Sequence, residues 1–326
     1  MTSREIVQRT LTFDFPERVA RSFDEADMVG AGYRVATPET DWQEVRPGRW
    51  ERIDEWGNTW ARVDPTSKGE VAKGVLDDLA ALDRLEFPDF SPPEAYVPVR
   101  EMRRAYPDKY LLGHMPGFAF NIARKLRRLE QYLLDILIEP DTMHALHDRI
   151  DAMLETMIRN HAAAGADGAM FPEDWGTQQQ LLIDPALWRQ EFRPRFERLC
   201  GVARDCGIAV WMHSCGQIEA IVPDLMDAGI AVLQFDQPEL HGIDRLAAHQ
   251  DRGPITFWCP VDIQKTLPQR DADVIRVRAE EMLDKLWRGR GGFIAGFYED
   301  NASLGLDPKW QEIACAEFRR RGVAGE

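Results

Sequence analysis

The sequence predicts an α/β fold, a (β/α)8 barrel of the TIM type with an N-terminal extension containing a β-hairpin. Three observations lead there. The chain has 326 residues, and such barrels begin at about 250. From about residue 110, short apolar runs of strand length alternate with longer segments of helical spacing, the signature of a parallel sheet covered by helices. No glycine-rich phosphate loop follows any apolar run, which weighs against an open nucleotide-binding sheet.

Residues 1–100 form the extension and hairpin, packed on a barrel whose main part is 101–326, one structural domain overall. In the extension Trp42, Trp50, Trp56 and Trp60 alternate with charged residues around Gly57-Asn58, the pattern of a hairpin with a Gly-Asn turn. The proline-rich stretch 87–93 closes this part. Six strands follow at 110–114, 168–171, 208–212, 231–235, 255–258 and 293–297. Helices are expected through 126–137, 185–205 and 220–228, and around Val274, Val277, Met282 and Leu286. The remaining strands fall in the first third, where the pattern is weaker.

Composition narrows the function classes. Acidic residues number 55 against 40 basic ones, a formal charge of −15, so phosphate neutralisation of the kind nucleic-acid binding needs is disfavoured. The basic run Arg124–Arg128 reads as a solvated helix face. The longest apolar runs are far below the ~20 residues of a membrane helix, and Met1–Arg9 is mixed and polar, unlike a secretory signal. Five cysteines without secreted-type spacing suit a reducing compartment, so a cytoplasmic protein without nucleic-acid or membrane partners is expected.

Active sites of such barrels lie at the carboxyl ends of the strands. Those positions carry His114, Glu173-Asp174-Trp175, His213-Ser214-Cys215-Gly216, Asp236, Cys259 and Tyr298-Glu299-Asp300. Side chains two apart in a strand share a face, so His213 and Cys215 converge as an imidazole and a thiol, donors that zinc prefers. Gly216 removes bulk where the strand turns. Cys259 and Glu299 are further candidate ligands, and Glu173 is an oxygen ligand or proton handler. Asp174 and Tyr298 are candidate catalytic groups; Asp174 is equally a turn or cap residue, and His114 a substrate contact or a loop histidine. Cys200, Cys206 and Cys315 read as small buried hydrophobes, and His144, His147, His161 and His249 as surface residues.

Several of these stretches resemble the uroporphyrinogen decarboxylase-like superfamily, which contains true decarboxylases, corrinoid-dependent methyltransferases and cobalamin-independent methionine synthases. The resemblance runs through Ser3-Arg4-Glu5, Pro16-Glu17-Arg18-Val19 and Glu55-Trp56-Gly57. It continues through residues 173–178, Ile183-Asp184-Pro185, Phe192-Arg193-Pro194 and His213-Ser214-Cys215-Gly216. It implies a (β/α)8 barrel. In its methyltransferase branches a His-x-Cys pair and a later cysteine hold zinc, which turns a substrate thiol into a thiolate nucleophile. His213 and Cys215 match the pair. Where the later cysteine is expected, this chain has Gly296-Phe297-Tyr298-Glu299, so either Glu299, Glu173 or Cys259 takes its place or zinc is not bound. At the next strand's glutamate ligand stands Gln234, with Asp236 two positions on. The arginine-rich N-terminal loop of the true decarboxylases is missing from Val19–Asp24, and the charge of −15 suits a polycarboxylate substrate poorly.

The resemblance therefore points to a zinc-assisted methyltransferase acting between a methyl-corrinoid partner protein or small methyl donor and a thiol or pterin acceptor. A metal-independent decarboxylase or lyase is the second reading, and a non-catalytic corrinoid or porphyrin binder the third.

Overall fold

The computed structural model describes residues 1–37 and 39–324. Eight parallel strands follow one another around a barrel: β1 (Ala20–Arg21), β2 (Met28–Ala31), then, after an inserted sheet, β7 (Tyr110–His114), β8 (Gly168–Pro172), β9 (Ala209–His213), β10 (Ile230–Gln234), β11 (Thr256–Cys259) and β12 (Phe293–Ala295). The ladder runs unbroken from β2 through β7 to β12 and on to β1. At the seam, Asp27 is fully buried and accepts from the Arg21 amide at 3.0 Å and from both Arg18 terminal nitrogens at 2.6 and 2.7 Å.

The six expected strands are present with their ends shifted by a residue or two. The two strands in the first third are only two and four residues long, too short for alternation to show. The small sheet is consequently an insertion between the second and third barrel strands, rather than a part that precedes the barrel. It has four antiparallel strands, β3 (Gln43–Arg46), β4 (Arg49–Ile53), β5 (Thr59–Arg62) and β6 (Glu70–Lys73). The expected hairpin is its β4–β5 pair. Its turn is held by Asp54, whose carboxylate accepts from the amides of Trp56 and Asn58, from Asn58 Nδ2 and from Trp60 Nε1 at 2.7–3.0 Å. The tryptophan–charge alternation becomes a cation–π stack: the Arg62 guanidinium lies 4.2 Å from the Trp42 ring centroid, and Arg52 sits 5.2 Å from Trp60.

Helices cover the barrel outside. In chain order they are α1 (Ser3–Thr12), α2 (Val97–Ala105), α3 (Ala119–Arg127), α4 (Leu129–Ile138), α5 (Pro140–Ala163), α6 (Pro185–Glu191), α7 (Arg193–Asp205), α8 (Val222–Ala228), α9 (Pro238–His241), α10 (Ile243–Arg252), α11 (Ala272–Met282) and α12 (Lys309–Arg321). Two expected helices are each broken in two, at Arg128 and at Phe192. In the second case Pro194 lacks the amide that would bond the Gln190 carbonyl and continue the ladder. The barrel interior is filled by Tyr110, Leu112, Trp211, Val232 and Ile294, with Ile6 and Val7 of α1 packed into the same cluster. Chemistry is thereby left to the opposite, carboxyl end of the strands.

Burial corrects two histidines. His147 and His161, expected at the surface, are fully buried; His147 lies 3.0 Å from the Tyr132 hydroxyl and 2.7 Å from Glu191. Their helix α5 runs 24 residues and buries one long face, which polar neighbours in sequence conceal.

Candidate metal and active site

The site is assembled from two loops locked backbone to backbone. After β8 the chain runs Glu173-Asp174-Trp175-Gly176-Thr177, and after β9 it runs Ser214-Cys215-Gly216-Gln217. The Glu173 amide donates to the His213 carbonyl at 2.8 Å, Cys215 N–H to Asp174 Oδ1 at 2.8 Å, and Gln217 N–H to the Thr177 carbonyl at 2.7 Å. Gly216 has φ +77°, and a Cβ there would stand 2.3 Å from the Gly176 carbonyl carbon. Glycine is needed for the conformation and for the contact, not merely for a turn.

This lock places Asp174 beside the His213–Cys215 pair. Cys215 Sγ lies 3.3 Å from His213 Nε2, and Asp174 Oδ1 lies 3.5 Å from the same nitrogen. Among the described residues, these three form a group whose donor atoms all fall within 4.8 Å of one another. Cys215 is exposed, and Asp174 and His213 are half-buried, so one side stays open to a ligand.

Gln234 orients the imidazole. It is paired with His213 across the β9–β10 ladder, and its Oε1 accepts from His213 Nδ1. Gln234 Nε2 in turn donates to Asp236 Oδ1 at 2.8 Å. With Nδ1 so engaged, the Nε2 lone pair points at Cys215, the arrangement in which ligand histidines are usually held. The sequence places Gln234 among the poor ligands; in the fold it instead fixes the tautomer of His213. Cross-strand register, invisible in sequence, is what reveals it.

The structure exchanges the roles expected of the adjacent acids. Glu173 is fully buried, and its carboxylate accepts from the Phe118 amide at 2.9 Å and the Asn121 amide at 3.2 Å. It caps the N-terminus of α3 and faces away from the donor group. Burial pushes its pKa up to about 8, opposed by those N–H donors and by Arg124. Asp174, the turn residue, is the one that joins the candidate donors His213 and Cys215. Arg124 links the two regions, its NH2 3.6 Å from Asp174 Oδ2 and 2.9 Å from Asn121 Oδ1. Cys259 and Glu299 lie outside the donor group. Cys259 is fully buried, and burial raises its thiol pKa far above the ordinary value. Glu299 is exposed.

The mouth around the group is acidic. Desolvation within it, then the charges of Asp174 and Asp236, push the Cys215 thiol up to about 12, with only Lys68 acting the other way. Lys68 belongs to the loop joining β5 to β6; its ammonium lies 6.0 Å from the Tyr298 ring centroid and so brings the inserted sheet to the mouth. His114 is exposed at the end of β7 over Gly30, where a Cβ would stand 2.2 Å from its Nε2. It and the half-buried Tyr298 border the mouth without joining the donor group.

The family model for uroporphyrinogen decarboxylase matches residues 63–297. The chain belongs to the uroporphyrinogen decarboxylase family. Among solved structures, a methyltransferase from Methanosarcina mazei is 14% identical, with a TM-score of 0.58 over 98% of this chain and 84% of that one. An E. coli 3-keto-D-glucoside 4-epimerase is 16% identical over 76% of this chain and 94% of that one, with a TM-score of 0.41. No curated protein matches this chain in sequence. At such identities the methyltransferase supports the fold, and the chemistry must be argued from the site. The barrel mouth, where Asp174, His213 and Cys215 meet, is the place to look.

Proposed function

We propose that this family member is a zinc-assisted methyltransferase, moving a methyl group between a methyl-corrinoid protein or small methyl donor and a thiol or pterin acceptor. The observation that carries the reading is the convergence of His213, Cys215 and Asp174 donors within 4.8 Å. An imidazole, a thiol and a carboxylate with an open fourth position form a donor set that fits catalytic zinc. The surroundings favour a dication as well. Desolvation, then Asp174 and Asp236, hold the Cys215 proton on, and a bound cation reverses that preference because ligand thiols bind deprotonated. When bound, zinc supplies a lowered pKa to an incoming thiol. The chain's own residues do the rest: Gln234 fixes the His213 tautomer, Asp174 holds the Cys215 loop through its amide, and Lys68 and Tyr298 border the space a substrate would enter.

Metal analysis after expression with zinc tests this. One zinc per chain is expected, lost in His213→Ala and in Cys215→Ser. The loaded protein is then expected to methylate a simple thiol from methylcobalamin. Zinc-free protein, or zinc retained in both variants, would overturn the site. Release of carbon dioxide from a small acid by metal-free protein would instead select the decarboxylase reading. Corrinoid or porphyrin binding without turnover would select the binder.

A further inference from the structure

Gln234 can fix the tautomer of His213 only if its own amide is fixed, because a carboxamide turned over presents a donor in place of an acceptor. Both ring nitrogens of His213 are contested. Nδ1 faces the Gln234 amide, while Nε2 lies 3.3 Å from Cys215 Sγ and 3.5 Å from Asp174 Oδ1. Two complete networks are therefore open to the metal-free protein. In the first, Nδ1–H donates to Gln234 Oε1 and Nε2 accepts from the Cys215 thiol. In the second, the amide is turned over, Nδ1 accepts from its NH2 group, and Nε2–H donates to Asp174. The Asp174 carboxylate only accepts, so by itself it favours the second network. That network caps Nε2 with a proton, and a capped nitrogen is no metal ligand.

Asp236 decides between them. It is half-buried just beyond the end of β10, two positions after Gln234, where extended chain returns side chains to one face. Its Oδ1 lies 2.8 Å from Gln234 Nε2. A carboxylate has no proton to give, so the amide nitrogen must face Asp236 and the amide oxygen must face His213. Turning the amide over would set Gln234 Oε1 against Asp236 Oδ1, two acceptors in place of a charge-assisted bond. Gln234 is buried, which raises the cost of leaving its amide mispaired. The choice thus passes along a chain of three groups, from a carboxylate that can only accept, through an amide that can do either, to an imidazole that must do one.

We propose that Asp236 is a positioning residue for the donor group: acting through Gln234, it places the His213 proton on Nδ1 and keeps Nε2 open at the mouth. The placement is a property of the metal-free protein; only its effect on zinc rests on the reading proposed above. Nitrogen-15 NMR of metal-free, histidine-labelled protein tests it, at a pH well above the ordinary imidazole value of about 6.5. The His213 signals are identified by their loss in His213→Ala. Wild type is expected to show one His213 tautomer, protonated on Nδ1. Asp236→Asn keeps the size of the side chain but can donate as well as accept. It is expected to give substantial Nε2–H tautomer, with a melting temperature close to wild type. Adding Gln234→Glu to Asp236→Asn sets the acceptor-only group directly against Nδ1, and is expected to restore the Nδ1–H tautomer. A merely structural role for Asp236 does not predict that rescue. In chelator competition, Asp236→Asn is expected to weaken zinc binding about tenfold. Wild type protonated on Nε2, an unshifted tautomer in Asp236→Asn, or a double variant that stays mixed would overturn the proposal. A tautomer shift with no zinc bound by any of these proteins would sink the metal reading alone and leave the proton placement standing.

Discussion

Replacing Gly216 by alanine is expected to damage the fold and the donor group together. The new Cβ would stand 2.3 Å from the Gly176 carbonyl carbon and oxygen, so the two loops must part by roughly 1 Å to reach van der Waals separation. A non-glycine residue in the left-handed region costs about 1–2 kcal/mol. Parting the loops also stretches the Gln217–Thr177 bond of 2.7 Å and the Cys215–Asp174 bond of 2.8 Å. A neutral bond contributes about 1 kcal/mol and one to a charged group about 1.5–3 kcal/mol. Together these give roughly 3–6 kcal/mol, a fall in melting temperature on the order of 10 °C for a chain of this size. Because ligand positions tolerate only about 0.2 Å, the zinc affinity measured by chelator competition is expected to drop as well. Gly207 supplies the control: its φ is +74°, but nothing lies within 4 Å of its Cβ. Gly207→Ala should therefore show only the backbone cost, with unchanged metal affinity. If Gly216→Ala matched Gly207→Ala in both calorimetry and zinc titration, the lock between the loops would not be what holds Asp174 in place.

Three further outcomes follow from the same geometry. Gln234→Leu should weaken zinc binding roughly 10–100-fold with the fold retained, because it frees the His213 tautomer; unchanged affinity in competition titrations would remove Gln234 from the site. Cys259→Ala should leave zinc stoichiometry intact, since that thiol lies outside the donor group; metal loss measured by elemental analysis would bring it back. For Glu173, burial raises the folded pKa to about 8 from its ordinary value of 4.5. Its folded state thus binds the proton more tightly, so its stabilisation is full below pH 4.5 and is lost as pH rises through 8. Glu173→Gln should accordingly melt close to wild type near pH 5 and above it near pH 9; an equal deficit at both pH values in thermal scans would show the carboxylate to be ionised and needed as such.

Strand and helix periodicity, and the rule that barrel chemistry sits at strand ends, are local properties, so the barrel, its six later strands and the His213–Cys215 pair could be read from the chain. A two-residue strand such as Ala20–Arg21 has no period to detect, so the insertion read as an extension. The third donor was hidden for a different reason. Glu173 and Asp174 are adjacent, and sequence cannot tell which carboxylate turns toward α3 and which toward the mouth. That choice is made by the Phe118 and Asn121 amides, 55 and 52 residues away. Gln234 likewise acquires its role only through register with His213 on the neighbouring strand. The sequence by itself determined the fold class and two of the three candidate donors, because both rest on spacing along the chain. Tertiary structure decided the third candidate donor and the orienting glutamine, because each depends on where distant backbone amides and side chains meet.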